Sequence, residues 1–325
     1  MLAIVTDEVS QPQTAHVPVL LDEVLTALLP DGHPVGRVID GTLGAGGHSA
    51  ALLQAGVGHL LGFDLDPQAL ALARAALAPF RDRATIIHDS YLHMVRHAEA
   101  LGWHDGVDGI LLDLGVSSMQ LDTAERGFAF MKDGPLDMRF NPTSSDATAA
   151  DLVNTWEADE LAEIFFRYGE ERESRRIARA IVAGRPYETT RQLADVIAAA
   201  MPRHFPRNKK ASVKTIHPAT RVFQALRIAV NDELRIIETV LPQAIGLLRP
   251  GGRLAVISFH SLEDRIVKHL FREASTEIIS PPGMQLEEKQ ALVDLVTRKP
   301  VEASEAEIAR NPRSRSAKLR VVQKR

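Results

Sequence analysis

From residue 37 onward, short runs of Ile, Val and Leu alternate with helix-compatible stretches. Arg37–Asp40, His59–Asp64, Ala84–His88, Gly109–Asp113 and Gly252–Phe259 have strand length and are bounded by Gly, Asp or Pro, so each reads as a strand. Gly47–Ala55, Pro67–Ala78 and Leu92–Leu101 fill the gaps between the first four as helices. Alternation at this spacing predicts βαβ units and a parallel sheet, whose ligands gather at the carboxyl ends of the strands.

The fifth strand comes late. About 138 residues separate Asp113 from Gly252, far more than one crossover helix needs, so the pattern predicts an insertion. Within it Ala149–Tyr168, Arg172–Val182 and Thr190–Met201 read as helices, the last capped by Thr190 with Leu193, Val196 and Ile197 on its apolar face. The expected organisation is a flexible extension over residues 1–15, a discontinuous α/β domain over 16–117 and 216–325, and an all-helical domain over 118–215. Ala219–Leu248 reads as a long helical stretch interrupted near Pro242, leading through the turn signal Arg249-Pro250-Gly251-Gly252 into the last core strand. Ser280–Gly283 and the charged residues after it read as a surface loop.

Composition narrows the chemistry. The 325 residues are 45% apolar and 25% charged, ordinary for a globular chain. The absence of cysteine removes disulfides, iron–sulfur clusters, thiolate zinc sites and sulfur nucleophiles. The net charge of −4 hides an asymmetry. Residues 1–166 carry 8 Lys and Arg against 24 Asp and Glu, a net −16, while residues 167–325 carry 30 against 18, a net +12. The second half is thereby suited to an anionic partner, unless the two halves merely attract each other. No run of 18 apolar residues occurs, and Asp7 and Glu8 stand where a signal peptide carries Lys or Arg, so a cytoplasmic chain with no membrane partner is expected.

The first strand ends in Asp40-Gly41-Thr42-Leu43-Gly44-Ala45-Gly46-Gly47-His48-Ser49. Glycines at a strand–helix junction let the backbone turn tightly and approach a ligand. Ser49 breaks the dinucleotide fingerprint that begins at Gly44, and no Gly-Lys-Ser/Thr follows for a Walker A loop. The Asp-x-x-x-Gly-x-Gly spacing resembles the nucleoside loop of class I S-adenosylmethionine (SAM) methyltransferases. Asp64, 20 positions after Gly44, is placed to bond ribose hydroxyls, although NAD enzymes use the same device, and Asp66 before Pro67 reads as a helix cap. Tyr91 follows the third strand and Asp113 ends the fourth. His93 and His97 have a metal-ligand spacing but no third ligand, so no metal site is expected.

Longer blocks then carry a closer resemblance. His16-Val17-Pro18-Val19-Leu20-Leu21-Asp22-Glu23, Asp108–Ser118, Arg126-Gly127-Phe128, Asp133–Arg139, Tyr168-Gly169-Glu170-Glu171, His217-Pro218-Ala219-Thr220-Arg221, Ser258–Asp264 and Asn311–Ser316 resemble the bacterial ribosomal RNA small subunit methyltransferase H (MraW) family. The resemblance runs from about His16 to Arg320. It implies the class I SAM-methyltransferase fold, a Rossmann-like α/β sheet with an inserted all-helical domain. It also implies SAM-dependent methylation of the exocyclic N4 of a cytidine in the decoding region of 16S ribosomal RNA, with that RNA or the small ribosomal subunit as partner. By position, Gly44, Gly46, Gly47, His48, Asp64, Tyr91, Asp113 and Gln120 become cofactor contacts, Tyr91 through aromatic packing. A homodimer is compatible with the sequence.

DNA amino-methyltransferases place Asp/Asn/Ser-Pro-Pro-aromatic at the end of the fourth strand, and here Asp113-Leu114-Gly115-Val116 keeps only the acid. Either Asp113 serves the target amine with an aromatic such as Phe128, Phe130 or Phe259, or it serves the cofactor. The second reading is favoured and leaves the catalytic acceptor unassigned. Without cysteine, thiolate-assisted methylation at cytosine C5 and radical SAM chemistry are both out of reach, and amino or hydroxyl methylation remains. RNA contacts are expected from residues 202–227, with Lys209, Lys210, Lys214 and Arg221, and from the acid-free residues 310–325. Ser117, Ser118 and His260 complete the candidate substrate residues, with a core or helix-capping role the alternative for His260.

Overall fold

The computed structural model describes residues 18–30, 35–201, 217–278 and 289–325. Residues 1–15, Ser280–Gly283, Lys209, Lys210 and Lys214 lie outside these. The chain opens with α1 (Leu21–Leu28), followed by β1 (Arg37–Asp40), α2 (Gly47–Gln54), β2 (His59–Asp64), α3 (Pro67–Ala76), β3 (Ala84–His88), α4 (Met94–Ala100) and β4 (Val107–Asp113). Next come the helices α5 (Ser118–Asp122), α6 (Ala149–Thr155), α7 (Ala158–Arg167), α8 (Ser174–Ala183), α9 (Thr190–Ala200), α10 (Ala219–Asn231) and α11 (Glu233–Leu247). β5 (Leu248–Ser258), α12 (Ser261–Ala274), β6 (Val293–Leu295), β7 (Val301–Glu302), α13 (Glu305–Arg310) and β8 (Lys318–Lys324) finish the described elements.

The sheet runs β3-β2-β1-β4-β5-β8-β6, with β7 also on β8. Strands β1 to β5 are parallel, and β8 is antiparallel to β5. Successive strand residues point to opposite faces, and the packing follows this period of two. Ile39, Leu61, Ile110, Leu112, Leu254 and Val256 pack with α4, α11 and α12 through Met94, Val240, Leu241, Val267 and Phe271. Their neighbours Val38, Leu60, Leu111, Ala255 and Ile257 pack on the other face with Val24, Leu28, Leu52 and Leu70 from α1, α2 and α3. Two covered faces keep the inner strands largely apolar, which gives the Rossmann-like α/β fold.

A separate apolar cluster gathers Leu152, Leu161, Phe165, Ile177, Ile181, Leu193 and Ile197 of α6 to α9 around Leu136 and Met138. Helix α10 joins it through Val222, Phe223 and Leu226, beyond residue 215.

Several local expectations shift. The stretch 149–168 is two helices, because Trp156 leaves helical geometry at φ −70, ψ 148 and Glu157 starts a new cap. The cap of α9 is Thr189, whose hydroxyl accepts from Gln192 N, while the Thr190 hydroxyl accepts from Gly134 N at 3.2 Å. The break in 219–248 falls at Asp232, in left-handed geometry at φ 52, and Pro242 sits inside α11. A proline interrupts a helix only through the bond it cannot donate and its clash one turn back, and here the αL residue sets the boundary instead. Gly252–Phe259 is not the last sheet strand either, because β8 adds seven residues beyond it.

Candidate functional site

Three carboxylates end adjacent parallel strands: Asp40 on β1, Asp64 on β2 and Asp113 on β4. Asp40 is 1% exposed, accepting from Ser49 Oγ at 2.7 Å and from Thr42 N at 3.1 Å. Burial pushes it up to about 6 against these bonds. Asp64 accepts from Gly44 N at 2.7 Å and from Asp66 N at 2.8 Å, so it shapes the glycine loop. Burial raises it to about 6 as well, helped by the charges of Asp66 and Asp40.

Asp113 is the most frustrated of the three. Its Oδ1 is buried with no hydrogen-bond partner among the described residues, and Oδ2 lies 3.8 Å from His48 Nδ1. Burial first, then the charges of Asp40 and Glu263, push it up to about 8. The side chain as a whole keeps 24% of its surface open, and solvent there softens the shift. Its backbone is fixed, since Asp113 N donates to Thr42 Oγ1 at 2.6 Å. Such an arrangement favours a bound cation with N–H groups to donate.

The glycine loop is built for close approach. Gly46 is the N-cap of α2 at φ 83, a left-handed conformation open to glycine, and an added Cβ there would sit 3.3 Å from Ala73 Cα. Gly44 shares the left-handed region at φ 53, and Gly47 starts the helix. His48 is 8% exposed, with Nε2 2.9 Å from Val19 O, so it ties the loop to the segment before α1. Tyr91 is half-buried at the end of β3, where its ring packs on the core. Burial, with the charges of Glu233 and Glu263, raises its hydroxyl above the usual tyrosine range.

Gln120 and Ser117 turn out to be engaged with each other. Ser117 Oγ accepts from Gln120 N at 3.2 Å and Gln120 Oε1 accepts from Ser117 N at 3.0 Å, a capping box on α5. Gln120 Nε2 donates to Asp66 Oδ2 at 3.2 Å. Its amide therefore joins the β4 loop to the cap of α3, where Asp66 Oδ1 accepts from Gln68 N as expected. Ser118 is the first residue of α5. Arg126, which the candidate residues did not include, lies against the same Asp66 in a buried ion pair and donates to Arg139 O at 2.8 Å and Phe140 O at 3.0 Å. The Ser117-x-x-Gln120 spacing is a signal that sequence reading could have used, whereas the Arg126 pair spans 60 positions and has none.

His260 sits at the end of β5 as the N-cap of α12. Its Nδ1 accepts from Glu263 N at 3.4 Å and its Nε2 lies 3.1 Å from Glu263 Oε1, which is the helix-capping alternative. Glu263 is fully buried, and its Oε2 accepts from Phe259 N at 2.8 Å. Burial works against its charge, but the bond and charge of His260 and the charge of Arg227 hold it below the usual range. Glu233, His260 and Glu263 stand close enough to share a cation. Arg227 Nη2 already lies among them, 2.8 Å from Glu233 Oε2, 3.3 Å from His260 Nε2 and 3.9 Å from Glu263 Oε1. The guanidinium takes the place of an ion there. This cluster joins α10, α11 and α12 beside Asp113; of its members the sequence singled out only His260, and Arg227, expected among the RNA-contacting residues 202–227, is instead taken up by Glu233.

The remaining candidates are dispersed. His93 Nδ1 and His97 Nε2 each lie 2.9 Å from a different oxygen of Asp89, and despite its partial burial these bonds hold Asp89 down to about 2. Arg221, half exposed on α10, lies 3.7 Å from the buried Glu171. Phe128 stacks on Phe140 inside the helical cluster, and Phe130 packs on His217 and Phe223.

The model of the MraW methylase family matches residues 13–325 of this chain. A Heliobacterium mobile protein named ribosomal RNA small subunit methyltransferase H is 51% identical over 316 residues, spanning 95% of this chain and 98% of that one. A protein of the same name from Nitratidesulfovibrio vulgaris is 50% identical over 99% of this chain and 89% of its own. A third from Magnetococcus marinus is 50% identical over 95% and 98%.

Proposed function

Because the chain belongs to the MraW methylase family, we propose that it transfers the methyl group of SAM to the exocyclic N4 of a cytidine in the decoding region of 16S ribosomal RNA. The observation that carries the cofactor is the row of carboxylates at the carboxyl end of the sheet, ending in the unpartnered oxygen of Asp113. When bound, SAM supplies an electrophilic methyl on a sulfonium beside an ammonium group. The unpartnered Oδ1 of Asp113 supports its assignment as the acceptor for that ammonium. Asp64 keeps lone pairs beyond the two amides it already accepts, enough for ribose hydroxyls. Gly44, Gly46 and Gly47 let the main chain approach the nucleoside, and Tyr91 offers packing surface.

Transfer is an in-line displacement, so the protein's main task is to hold the amine close and aligned. A cytosine reaches such a site by leaving its stack. Nitrogen as the acceptor fits a chain without cysteine, since carbon methylation through a thiolate adduct is unavailable. The test is transfer of tritiated methyl from SAM to assembled small subunits, naked 16S RNA and DNA in parallel, followed by nucleoside analysis. Label in N4-methylcytidine from RNA is expected. Label in DNA, or in another nucleoside, refutes the reading.

A further inference from the structure

The outer side of α8 carries arginines for which the site at the sheet has no use. Arg175, Arg176 and Arg179 lie on α8 opposite the buried Ser174, Ile177, Ala178 and Ile181, and Arg172 stands in the turn just before the helix. All four are exposed, and none has an ion-pair partner among the described residues. The neighbouring acids are engaged elsewhere: Glu170 accepts from Arg265 at 3.0 Å and from Ser261 at 2.9 Å, and buried Glu171 faces Arg221. Between residues 172 and 187 five arginines meet the single acid Glu173. Like charges at these spacings repel along a helix, so the stripe is suited to a polyanion.

Its position links it to the site. Glu170, two residues before Arg172, is bonded to Ser261 at the start of α12, directly after the carboxyl end of β5. Arg175, Arg176 and Arg179 span ~6 Å along α8, about two phosphate spacings of a stacked strand, and Arg172 extends the stripe toward that rim. Phe166, 62% exposed, lies in the last turn of the neighbouring α7 at the same end of the helix pair and presents a ring for an unstacked base.

We propose that the arginine stripe of α8 is a track for the phosphodiester backbone of RNA flanking the target nucleotide, an assignment that rests on the RNA methyltransferase reading above. The stripe is separate from residues 202–227 and 310–325, to which composition alone points. The test changes Arg172, Arg175, Arg176 and Arg179 together to Gln and measures binding of a labelled 16S RNA oligonucleotide over a salt series.

Each lost phosphate contact on a single strand removes about 0.7 from the log–log salt slope, so the quadruple variant is expected to flatten it by roughly two to three. Affinity at low salt should fall about tenfold or more. Binding of S-adenosylhomocysteine and turnover at saturating RNA should match the unsubstituted protein. Arg74→Gln, on the exposed side of α3, is the control and should leave the slope unchanged. If the quadruple variant fails to fold, Arg175→Gln with Arg179→Gln should give about half the change. An unaltered slope in a folded variant overturns the stripe, even where the unsubstituted protein methylates RNA. Failure of the unsubstituted protein to methylate any RNA refutes the functional reading instead.

Discussion

Replacing Asp113 with Asn tests the electrostatics of the site directly. The carboxyl is pushed from 3.8 up to about 8, which corresponds to an unmet cost for its anion on the order of 6 kcal/mol. That is an upper limit, since 24% of the side chain stays open to solvent. If only the ionised form accepts the ligand's ammonium, apparent affinity scales with the ionised fraction, about 3% at pH 6.5 and about 24% at pH 7.5. The Kd of S-adenosylhomocysteine, which retains the ammonium but lacks the sulfonium, should therefore tighten as pH rises, by at most about eightfold across that unit of pH. Asp40 and Asp64, both raised to about 6, are already mostly ionised in this window and add little. Asp113→Asn should bind at least tenfold more weakly at pH 7.5 and vary less than twofold across the window. Isothermal calorimetry in buffers of differing ionisation enthalpy gives a second reading, the release of nearly one proton on binding at pH 6.5. Equal pH profiles in the two proteins, or binding without proton release, would refute the assignment of Asp113 to the ammonium.

The same shift acts on stability without ligand. A carboxyl whose folded pKa is raised keeps a proton that the unfolded chain has released, so its contribution declines as pH rises from about 4 to about 8. Thermal melting should fall more steeply over that range for the unsubstituted protein than for Asp113→Asn, and parallel curves would contradict the shift. Arg126→Met strands the buried Asp66 carboxylate and should cost about 3–5 kcal/mol in urea unfolding, with Asp66→Asn added to it recovering part of the loss. Gly127→Ala places a Cβ 2.3 Å from Pro135 O at φ 72, so a loss of about 1–3 kcal/mol is expected, and an unchanged denaturation midpoint would count against this geometry.

The parallel strands were legible as short apolar runs, which burial on both faces writes for the inner ones while the edge strand β3 is only partly buried, and β1, β2 and β3 have the expected bounds. The acids at their ends were legible for the same reason, as the first polar residues after such a run. β8 was not, since Lys318–Lys324 mixes Lys, Arg and Gln with its apolar residues, and its place beside β5 depends on contacts sixty or more positions away. The Arg227, Glu233, His260 and Glu263 cluster was hidden in the same way. His260 alone stood out in the sequence, with helix capping as its alternative role, and Arg227 read as part of the basic stretch 202–227; only the meeting of α10, α11 and α12 brings both against Glu233 and Glu263.

The long excursion between β4 and β5 also bears on how the chain comes to be folded. Asp113 pairs in register with Ile257, so neighbouring central strands are separated by the whole helical cluster, and β5 gains its other partner only when Lys318–Lys324 arrive. Contacts of such sequence separation form slowly, because loop closure precedes their reward. The helices of residues 149–200 pack largely on near neighbours and can assemble while β1 to β4 still expose the edge that β5 will cover. During synthesis that edge awaits a strand not yet made, so demand for a chaperone should concentrate in the interval between the emergence of β4 and that of β8.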